Sequence, residues 1–326
     1  MREVAQGVFQ IQLQVPFGKG TANSYIVSKG RDSIVVDAGA DCEQNQEVFL
    51  ESLKGIGLAP RNVKAILITH AHPDHWGLAR WLHQLSGAPV WVPEKEAWML
   101  EAWRDGAEEH FSRIRRFFER HGMPQEKLQL AAALRRRAMQ LGIPPEADLL
   151  AVDGKPAGAL QVPGLSLITV VTPGHTLGHA CYWAPERDLV FCGDHLLPDI
   201  SPNVGAALGD ESLDALGSYL SSLEKLKGLN AKLGLPGHGE PISDIAGRVE
   251  EIKVHHTQRL AQVTEALRSG AQTVYQVVRA LFQGDMTPVD YQLAFFEVYA
   301  HLERLVREDL VGKQEVDGVL VYRNQV

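Results

Sequence analysis

The chain has 326 residues, of which 45% are hydrophobic and 22% are charged, and its formal net charge at pH 7 is −8. This composition is typical of a globular protein with a well-filled core, and the length allows one large domain or two ordinary ones. The acidic balance disfavours a protein built mainly to bind nucleic acid, because phosphate-binding surfaces are basic.

The sequence contains no signal of export or membrane insertion. Its first stretch, MREVAQGVFQIQLQV, lacks the apolar run of a signal peptide. No segment approaches the ~18 consecutive apolar residues of a membrane span. Cys42, Cys181 and Cys192 are far apart and lack C-x-x-C spacing. We therefore expect a cytoplasmic protein with thiols in its core and no membrane contact.

Hydrophobic periodicity predicts alternating strands and helices over most of the chain. In chain order these are strands within 8–38, a helix at 44–57, a strand at 63–69, a helix at 74–87, a strand at 88–93, strands from about 160 and a helix at 212–229. Such alternation indicates an α/β fold. Asp74 is predicted to cap the start of the 74–87 helix, and Gly87 to end it.

The stretch ITHAHPDHWG, residues 68–77, holds four side chains that can bind a metal. His70, His72, Asp74 and His75 lie between an apolar, β-branched strand and an amphipathic helix. Sites in α/β proteins form at such carboxyl ends of strands. A polar surface turn is the alternative interpretation, but three histidines and an acid at H-x-H-x-D-H spacing are hard to reach by chance.

Further ligand candidates follow three later strands, as they must, because one turn cannot surround an ion. VVTPGHTLGHACYW supplies His175, DLVFCGDHLLP supplies Asp194, and KLGLPGHGEP supplies His238. Each candidate lies among glycines, which permit positive φ and close backbone approach in a crowded pocket.

These four segments, in this order, resemble the metallo-β-lactamase superfamily of metal-dependent hydrolases over roughly residues 8–245. The resemblance implies a four-layer αββα sandwich. It also implies that one metal is bound by His70, His72 and His175, a second by Asp74, His75 and His238, and both by a bridging Asp194. Asp37, in IVVDAG, matches the family's early buried acid and is expected to support a ligand turn. A plain strand-terminating aspartate is the alternative for that residue.

The implied ligands favour zinc, with iron or manganese as alternatives, and five histidines disfavour calcium. Two ions about 3.5–4 Å apart can share a hydroxide, and zinc lowers the pKa of water to about 7. The diiron oxygen-reducing branch of the superfamily has Glu at the second His position, so His72 favours hydrolysis. A mononuclear iron dioxygenase branch keeps the motif, so oxidative chemistry stays an alternative.

We expect Asp74, Asp194 and His195 to take part in catalysis. His195 follows the bridging aspartate directly, where it would shuttle protons or contact substrate; a packed polar residue is the alternative. His179 lies in an H-T-x-G-H-x-x-Y run that resembles glyoxalase II, whose first His is the ligand. His179 is therefore expected to support the ligand turn.

Residues 94 to about 150 interrupt the strands and predict a two- or three-helix insertion, which we expect to cover the mouth of the site as a lid. The segment carries ten Lys/Arg and ten Asp/Glu. Its arginines, including Arg113, Arg116 and Arg135 to Arg137, either grip an anionic substrate or form a solvated face with i,i+4 pairs. Its aromatic face is expected to pack, with part of it facing substrate if a lid forms.

Residues 249–326 predict three helices and a β-hairpin with an Asp-Gly turn, behind a catalytic domain at 1–248. This tail resembles the winged helix of the superfamily branch that includes an endoribonuclease. A winged helix suggests nucleic-acid binding. The charge argues against it, with eight Lys/Arg against eleven Asp/Glu. We expect a packing or homodimerisation module.

The predicted function is dinuclear metal-dependent hydrolysis of an ester, thioester or lactone carbonyl in a small-molecule or acyl-carrier substrate. HLLPDISPNVG (195–205) stands where glyoxalase II has a Gly-Cys-Gly-Arg-like stretch, so glutathione thioesters are disfavoured and the loop is expected to shape the pocket. A phosphodiesterase or endoribonuclease is the alternative enzyme. A nucleic-acid-binding regulator with a structural metal site is the alternative outside enzymes, although structural zinc sites are usually closed and cysteine-rich.

Overall fold

The computed structural model describes residues 1–16, 20–105, 107–129, 142–158, 162, 165–205, 210 and 212–325. Seven strands form the first sheet in chain order: β1 (Arg2–Ala5), β2 (Val8–Gln14), β3 (Thr21–Lys29), β4 (Asp32–Val36), β5 (Val63–Leu67), β6 (Val90–Pro93) and β7 (Leu149–Ala151). Pairing is antiparallel from β1 to β4 and parallel from β4 to β7.

Five strands form the second sheet, in the order β12-β11-β10-β9-β8. They are β8 (Pro156–Ala157), β9 (Leu167–Val171), β10 (Ala180–Ala184), β11 (Leu189–Gly193) and β12 (Leu233–Pro236). β11 and β12 are parallel, whereas β10 is antiparallel to both of its neighbours.

The two sheets face each other across a layer of alternating side chains. Tyr25 of β3 packs on Phe191 of β11 with ring centroids 5.3 Å apart, and Tyr182 of β10 lies in the same core. Because successive strand residues point to opposite faces, Cys181 and Cys192 lie instead under the helices outside the second sheet. The prediction of core thiols is confirmed at these two positions.

Three helices cover the outer face of the first sheet: α1 (Glu43–Gly55), α2 (Pro73–Trp76) and α3 (Ala79–Ser86). Cys42, at the N-cap of α1, is half-buried, so the expectation of a core thiol is wrong there.

The single helix predicted from Asp74 to Gly87 is broken after its first turn. The N-cap residue is the extended His72, and Pro73 takes the first helical position that its fixed φ favours. The prediction that Asp74 caps this helix is therefore wrong. The end is as predicted, because Gly87 closes α3 with a φ of 71°.

The second sheet is covered by the later helices, which are α6 (Ala215–Gly228), α7 (Ile245–Ala266), α8 (Val274–Leu281) and α9 (Pro288–Arg307). Helices lie outside both sheets, which gives the four-layer αββα sandwich. The insertion contributes α4 (Glu94–Asp105) and α5 (Ala107–Arg120). A further helical stretch begins at residue 125; its predicted continuation, with Arg135–Arg137, lies outside the described residues.

The tail contains the three helices and the hairpin predicted for it. β13 (Val311–Val316) pairs antiparallel with β14 (Val319–Asn324). Asp317 and Gly318 have φ of 50° and 80°, as a type I′ turn requires. Since α7 crosses residues 248 and 249 without a break, the domain boundary there stays a prediction. In the described part of the chain, no helix is both long and apolar enough to cross a membrane.

The insertion packs against the rest of the protein through its aromatic residues. Trp103 of α4 packs on Trp76 of α2, with ring centroids 6.4 Å apart. Phe118 of α5 packs on Phe295 of α9 at 4.9 Å, and Phe117 lies 6.3 Å from the same ring. At these positions the predicted aromatic face is used in packing, and the core under the second sheet is continuous with the insertion and the tail.

Candidate metal centre

The candidate ligands lie on four turns at the carboxyl ends of strands. His70, His72, Asp74 and His75 follow β5, His175 follows β9, Asp194 follows β11 and His238 follows β12. In the second sheet β9, β11 and β12 run in one direction, because β10 is antiparallel to β9 and β11. Their ligand turns therefore meet at one edge of the sheet.

We define the first ligand group as His70, His72, His175 and Asp194. One donor atom from each lies within 4.8 Å of the others. His72 Nδ1 is 2.8 Å from His70 Nε2 and 3.1 Å from His175 Nε2. Asp194 Oδ2 is 3.7 Å from His175 Nε2. Apart from the half-buried His72, these residues are buried.

The second ligand group consists of Asp74, His75 and His238. His238 Nε2 lies 3.5 Å from Asp74 Oδ2. Asp194 lies against this group as well, since its Oδ2 is 3.4 Å from His238 Nε2 and its Oδ1 is 3.4 Å from His75 Nε2. The side chains of Asp74 and His238 are 22% and 29% exposed, so the centre opens to solvent on their side.

The donor atoms fit a bound divalent cation. Ligands on a tetrahedral zinc, with bonds of about 2.0–2.2 Å, lie roughly 3.4 Å apart. The separations of 3.4–3.5 Å around His238, Asp194 and Asp74 match this value. His75 Nε2 and Asp194 Oδ1 are buried and have no hydrogen-bond partner among the described residues. A cation would satisfy both atoms, which are otherwise costly to bury.

Four of the five imidazoles are oriented through their second ring nitrogen. The donors and acceptors are His70 Nδ1 to Thr69 Oγ1 at 3.0 Å, His75 Nδ1 to Asp37 Oδ2, His175 Nδ1 to the Asn203 carbonyl and His238 Nδ1 to the Thr21 carbonyl, the last three at 2.8 Å. These hydrogen bonds leave Nε2 of each ring as the metal-binding atom. Such outer partners fix the tautomer and the ring direction.

Asp37 is connected to both ligand groups. Its carboxylate is buried and accepts the His75 ring N–H, the Thr69 backbone N–H and the Thr69 hydroxyl. Because Thr69 Oγ1 in turn accepts from His70, one carboxylate orients a histidine of each group. Asp37 has a φ of 54°, an unusual conformation for a non-glycine residue that is found at functional sites.

The two ligand groups differ in electrostatics. Burial lowers the pKa of His70 well below its ordinary value, and desolvation together with the neighbouring His175 lowers that of His72, so these imidazoles are neutral, as metal ligands must be. Burial opposes the charge on His238 too, but the Asp194 carboxylate raises the pKa of His238 to about 9. Burial also opposes the charge on His75, but the carboxylates of Asp194, Asp37 and Asp74 together outweigh it and raise the pKa of His75 well above its ordinary value. A cation that binds the second group therefore displaces protons.

Glycine is required where the turns crowd together. A Cβ on Gly237 would lie 2.2 Å from Asp194 Oδ1 and 2.7 Å from His75 Cε1. At Gly193, with a φ of 48°, a Cβ would lie 2.6 Å from His179 Nε2. A side chain at Gly237 would displace the Asp194 carboxylate, and one at Gly193 would displace His179 and Thr69, which lie behind the ligands.

His195 and His179 lie behind the ligands. Both are fully buried, and their ring centroids are 5.8 Å apart. His195 also packs against Tyr219 at 5.0 Å, and burial lowers its pKa to about 3. Neither ring nitrogen of His195 has a hydrogen-bond partner among the described residues, and the catalytic role of His195 stays a prediction. His179 Nδ1 donates to Thr172 Oγ1 at 2.9 Å, in agreement with a supporting role.

Sequence reasoning missed Glu96 of α4. Its side chain is fully buried and accepts the backbone N–H groups of Ala71 and Gly178, one on each of two ligand turns. The signal available in the sequence was a glutamate in the first turn of a helix that starts at the end of a strand. The exposed Glu94, two residues earlier, gives the same signal.

Family models match both parts of the chain. The model described as the metallo-beta-lactamase superfamily matches residues 17–238, and that described as the metallo-beta-lactamase-like C-terminal domain matches residues 260–325. The probable metallo-hydrolase YqjP of Bacillus subtilis (strain 168) is 24% identical over 314 residues, or 94% of each chain. An atrochrysone carboxyl ACP thioesterase of Aspergillus chevalieri is 26% identical over 84% of this chain and 70% of its own length.

Solved structures resemble the fold over its whole length. A metallo-beta-lactamase family protein from Thermus thermophilus has a TM-score of 0.84 and 31% identity, covering 99% of this chain and 100% of that one. A beta-lactamase domain protein from Burkholderia ambifaria has a TM-score of 0.83 and 26% identity, covering 99% of this chain and 94% of that one. The likeness extends over the catalytic sandwich, the insertion and the tail.

Proposed function

The chain belongs to the metallo-beta-lactamase superfamily and is a metal-dependent hydrolase, and from this premise we propose that it binds two divalent cations and hydrolyses acyl thioesters. Zinc is the proposed metal, because imidazole and carboxylate ligands without cysteine suit it. The first ligand group would hold one cation and the second ligand group the other.

The position of Asp194 is the observation that carries the two-metal proposal. Its Oδ1 lies 3.4 Å from His75 Nε2, and its Oδ2 lies 3.7 Å from His175 Nε2. One carboxylate thus presents an oxygen to a histidine of each group. Seven candidate ligands in two groups are too many for a single tetrahedral ion.

Bound cations would supply a water nucleophile of lowered pKa and polarise the scissile carbonyl. The chain's own residues hold that chemistry in place. Asp37 keeps His75 in one tautomer, and the Asn203 carbonyl does the same for His175. Asp74, on the open side of the centre, is proposed to orient the attacking water, while Asp194 holds both groups in register.

A thioester is the proposed substrate class because of the relatives. The Aspergillus protein named as an ACP thioesterase aligns with 84% of this chain. The charge of the tail favours an acyl carbonyl over RNA, since residues 249–326 carry eight Lys/Arg and eleven Asp/Glu. The tail is proposed to be a winged-helix-like packing module.

A substrate panel tests this function. Protein reconstituted with zinc would be assayed against acyl thioesters carried on coenzyme A and on an acyl-carrier protein, with matched oxygen esters, lactones and a phosphodiester. We expect turnover of the thioesters, with kcat/KM above that of every other class, and loss of turnover after chelation. Faster cleavage of the phosphodiester or of RNA would overturn the proposal in favour of a nuclease.

A further inference from the structure

We infer that Glu96 is a positioning residue that fixes the first ligand group by joining two ligand turns through their backbone. The inference rests on the metal centre of the proposed function, but it does not depend on the substrate. Glu96 belongs to the insertion and not to the strand ends that carry the ligands. The inference therefore gives the start of α4 a role in metal binding.

The carboxylate of Glu96 accepts one hydrogen bond from each of the two ligand turns. Glu96 Oε2 accepts the N–H of Ala71 at 2.8 Å, and Oε1 accepts the N–H of Gly178 at 2.5 Å. Ala71 lies between the ligands His70 and His72, while Gly178 lies three residues after His175. The single carboxylate therefore joins the turns that supply all three histidines of the first ligand group.

Glu96 has no exposed surface, although acidic side chains are almost never fully buried without partners. Burial raises the pKa of Glu96 to about 7, against the effect of the two N–H donors, which favour the carboxylate. A buried carboxyl group without partners would be costly, and the hydrogen bonds that Glu96 accepts from the two turns offset this cost.

The start of α4 also fits closely against the His175 turn, whatever the charge of Glu96. A Cβ on Gly178 would lie 2.6 Å from Lys95 Cβ and 2.7 Å from the Lys95 carbonyl carbon. The helix start therefore approaches the His175 turn as closely as backbone allows, and only glycine leaves room for it. The two ligand turns are also joined directly, because the Ala180 N–H donates to the Thr69 carbonyl at 2.9 Å. Glu96 provides a second connection between them.

The test uses the full-length protein with Glu96→Gln, and with Glu94→Gln as the matched control. Both substitutions remove one carboxylate from the same helical turn, but Glu94 is exposed. Glutamine keeps a single acceptor oxygen, so it can serve only one of the two turns. Zinc affinity is measured by chelator competition, ligand geometry by the visible spectrum of the cobalt-substituted protein, and the fold by thermal unfolding of the metal-free protein.

We expect Glu96→Gln to weaken zinc binding about 10–100-fold, as loss of an outer hydrogen-bonding partner does, and to change the cobalt spectrum. Metal-free Glu96→Gln should unfold at a somewhat lower temperature than Glu94→Gln, because one buried N–H loses its acceptor, so zinc affinity is compared at a temperature at which both variants are folded. Gly178→Ala should weaken zinc binding in the same direction, because it displaces α4 without removing a charge. If Glu96→Gln fails to fold, the inference is tested with Gly178→Ala alone. Zinc affinity equal to that of wild type in Gly178→Ala would then overturn the inference.

The outcomes also separate this inference from the proposed function. Wild-type protein that binds no metal would defeat the proposed function and the inference with it. Metal binding that is equally tight in wild type, Glu94→Gln and Glu96→Gln would defeat only the role of Glu96. Weakened binding in Glu96→Gln supports that role even if thioesters prove not to be substrates.

Discussion

The ring of His75 donates its Nδ1–H to the carboxylate of Asp37 over 2.8 Å, inside a site where both residues are buried. The same carboxylate accepts the Thr69 hydroxyl, which accepts from His70. One acid at the end of β4 therefore orients a histidine in each ligand group. The orientations of His75 and His70 are therefore coupled, because both depend on the carboxylate of Asp37.

Asp37→Asn should lower the affinity for both cations. Asparagine tolerates the positive φ of residue 37 and keeps one acceptor oxygen, so the fold is expected to persist while the charge opposite His75 is lost. We expect metal affinity to fall about 10–100-fold. Metal content after dialysis against a weak chelator measures this. Asp32→Asn, at a half-exposed surface ion pair, is the control; equal metal retention in the two variants would contradict the role of Asp37.

Asp194→Ala should be more damaging than loss of any outer partner. Its two oxygens face different ligand groups, so its removal affects both cations. We expect the metal content to fall from two per chain to one or fewer, and activity to fall by more than the ~100-fold upper range for an outer partner. Elemental analysis and turnover measure these effects. Asp199→Ala, an exposed acid on the same loop, should retain both metals; a wild-type stoichiometry of one would disprove the two-metal model.

The ligand turns were predictable because their metal-binding residues lie in short stretches of the sequence. His70, His72 and His75 follow one apolar strand, and His175 and His238 follow others, so strand ends and residue type suffice to place them near one another. The family resemblance divided them into two groups. The structure brings the same residues into two groups of converging donor atoms.

Contacts between distant elements were not predictable in the same way. Periodicity identifies an apolar face on α5 but not its partner, so Phe118 gave no indication that it packs on Phe295. Glu96 and Glu94 occupy the same helical turn, and only tertiary contacts bury one of them. The break between α2 and α3 lies where the Leu78 N–H donates to the Gly39 carbonyl at 3.0 Å, a contact between distant parts of the chain that an apolar pattern does not predict.

The contacts of Phe118 and Glu96 show that the insertion is part of the core and of the metal centre, so a point substitution tests its role better than a deletion. Deleting residues 94–150 would remove the predicted lid, but it would also remove Glu96 and expose the core that Phe118 fills. We instead predict that Phe118→Ala destabilises the whole protein by about 3–5 kcal/mol, because an almost fully buried ring is lost from a shared core. Unfolding in urea, followed by tryptophan fluorescence and far-UV circular dichroism, measures this.

The two probes should report one transition at the same urea concentration, because α5, α9 and the second sheet share that core. Phe111→Ala, at a half-buried position of the same helix, should cost less. A separate early transition in the Phe118→Ala variant would show that the tail unfolds on its own, and would support the boundary predicted near residue 248.

Acid stability should depend on Glu297 of α9. Its carboxylate accepts from Arg259 Nε at 2.8 Å and from His255 Nε2 at 3.2 Å, both on α7. Burial opposes its ionisation, but the hydrogen bond from His255 and the charge of Arg259 lower the pKa of Glu297 from the ordinary 4.5 to about 2. A carboxyl group with a lowered folded-state pKa stabilises the fold above its unfolded pKa, and this stabilisation disappears as the pH falls toward 2.

The difference between the folded and unfolded pKa of Glu297 contributes ~3 kcal/mol at most to the free energy of unfolding, at ~1.4 kcal/mol per pKa unit. Glu297→Gln should therefore be less stable than wild type at about pH 6, and the gap should narrow by about pH 3, because the unfolded wild-type chain takes up a proton at Glu297 below its ordinary pKa while the folded protein is still ionised there. Urea unfolding of metal-free protein at both pH values measures the gap. Glu265→Gln, on the exposed face of α7, should show a small gap at either pH. A gap for Glu297→Gln that is the same at both pH values would mean that the Glu297 charge does not hold α7 against α9, and that packing alone joins the two helices.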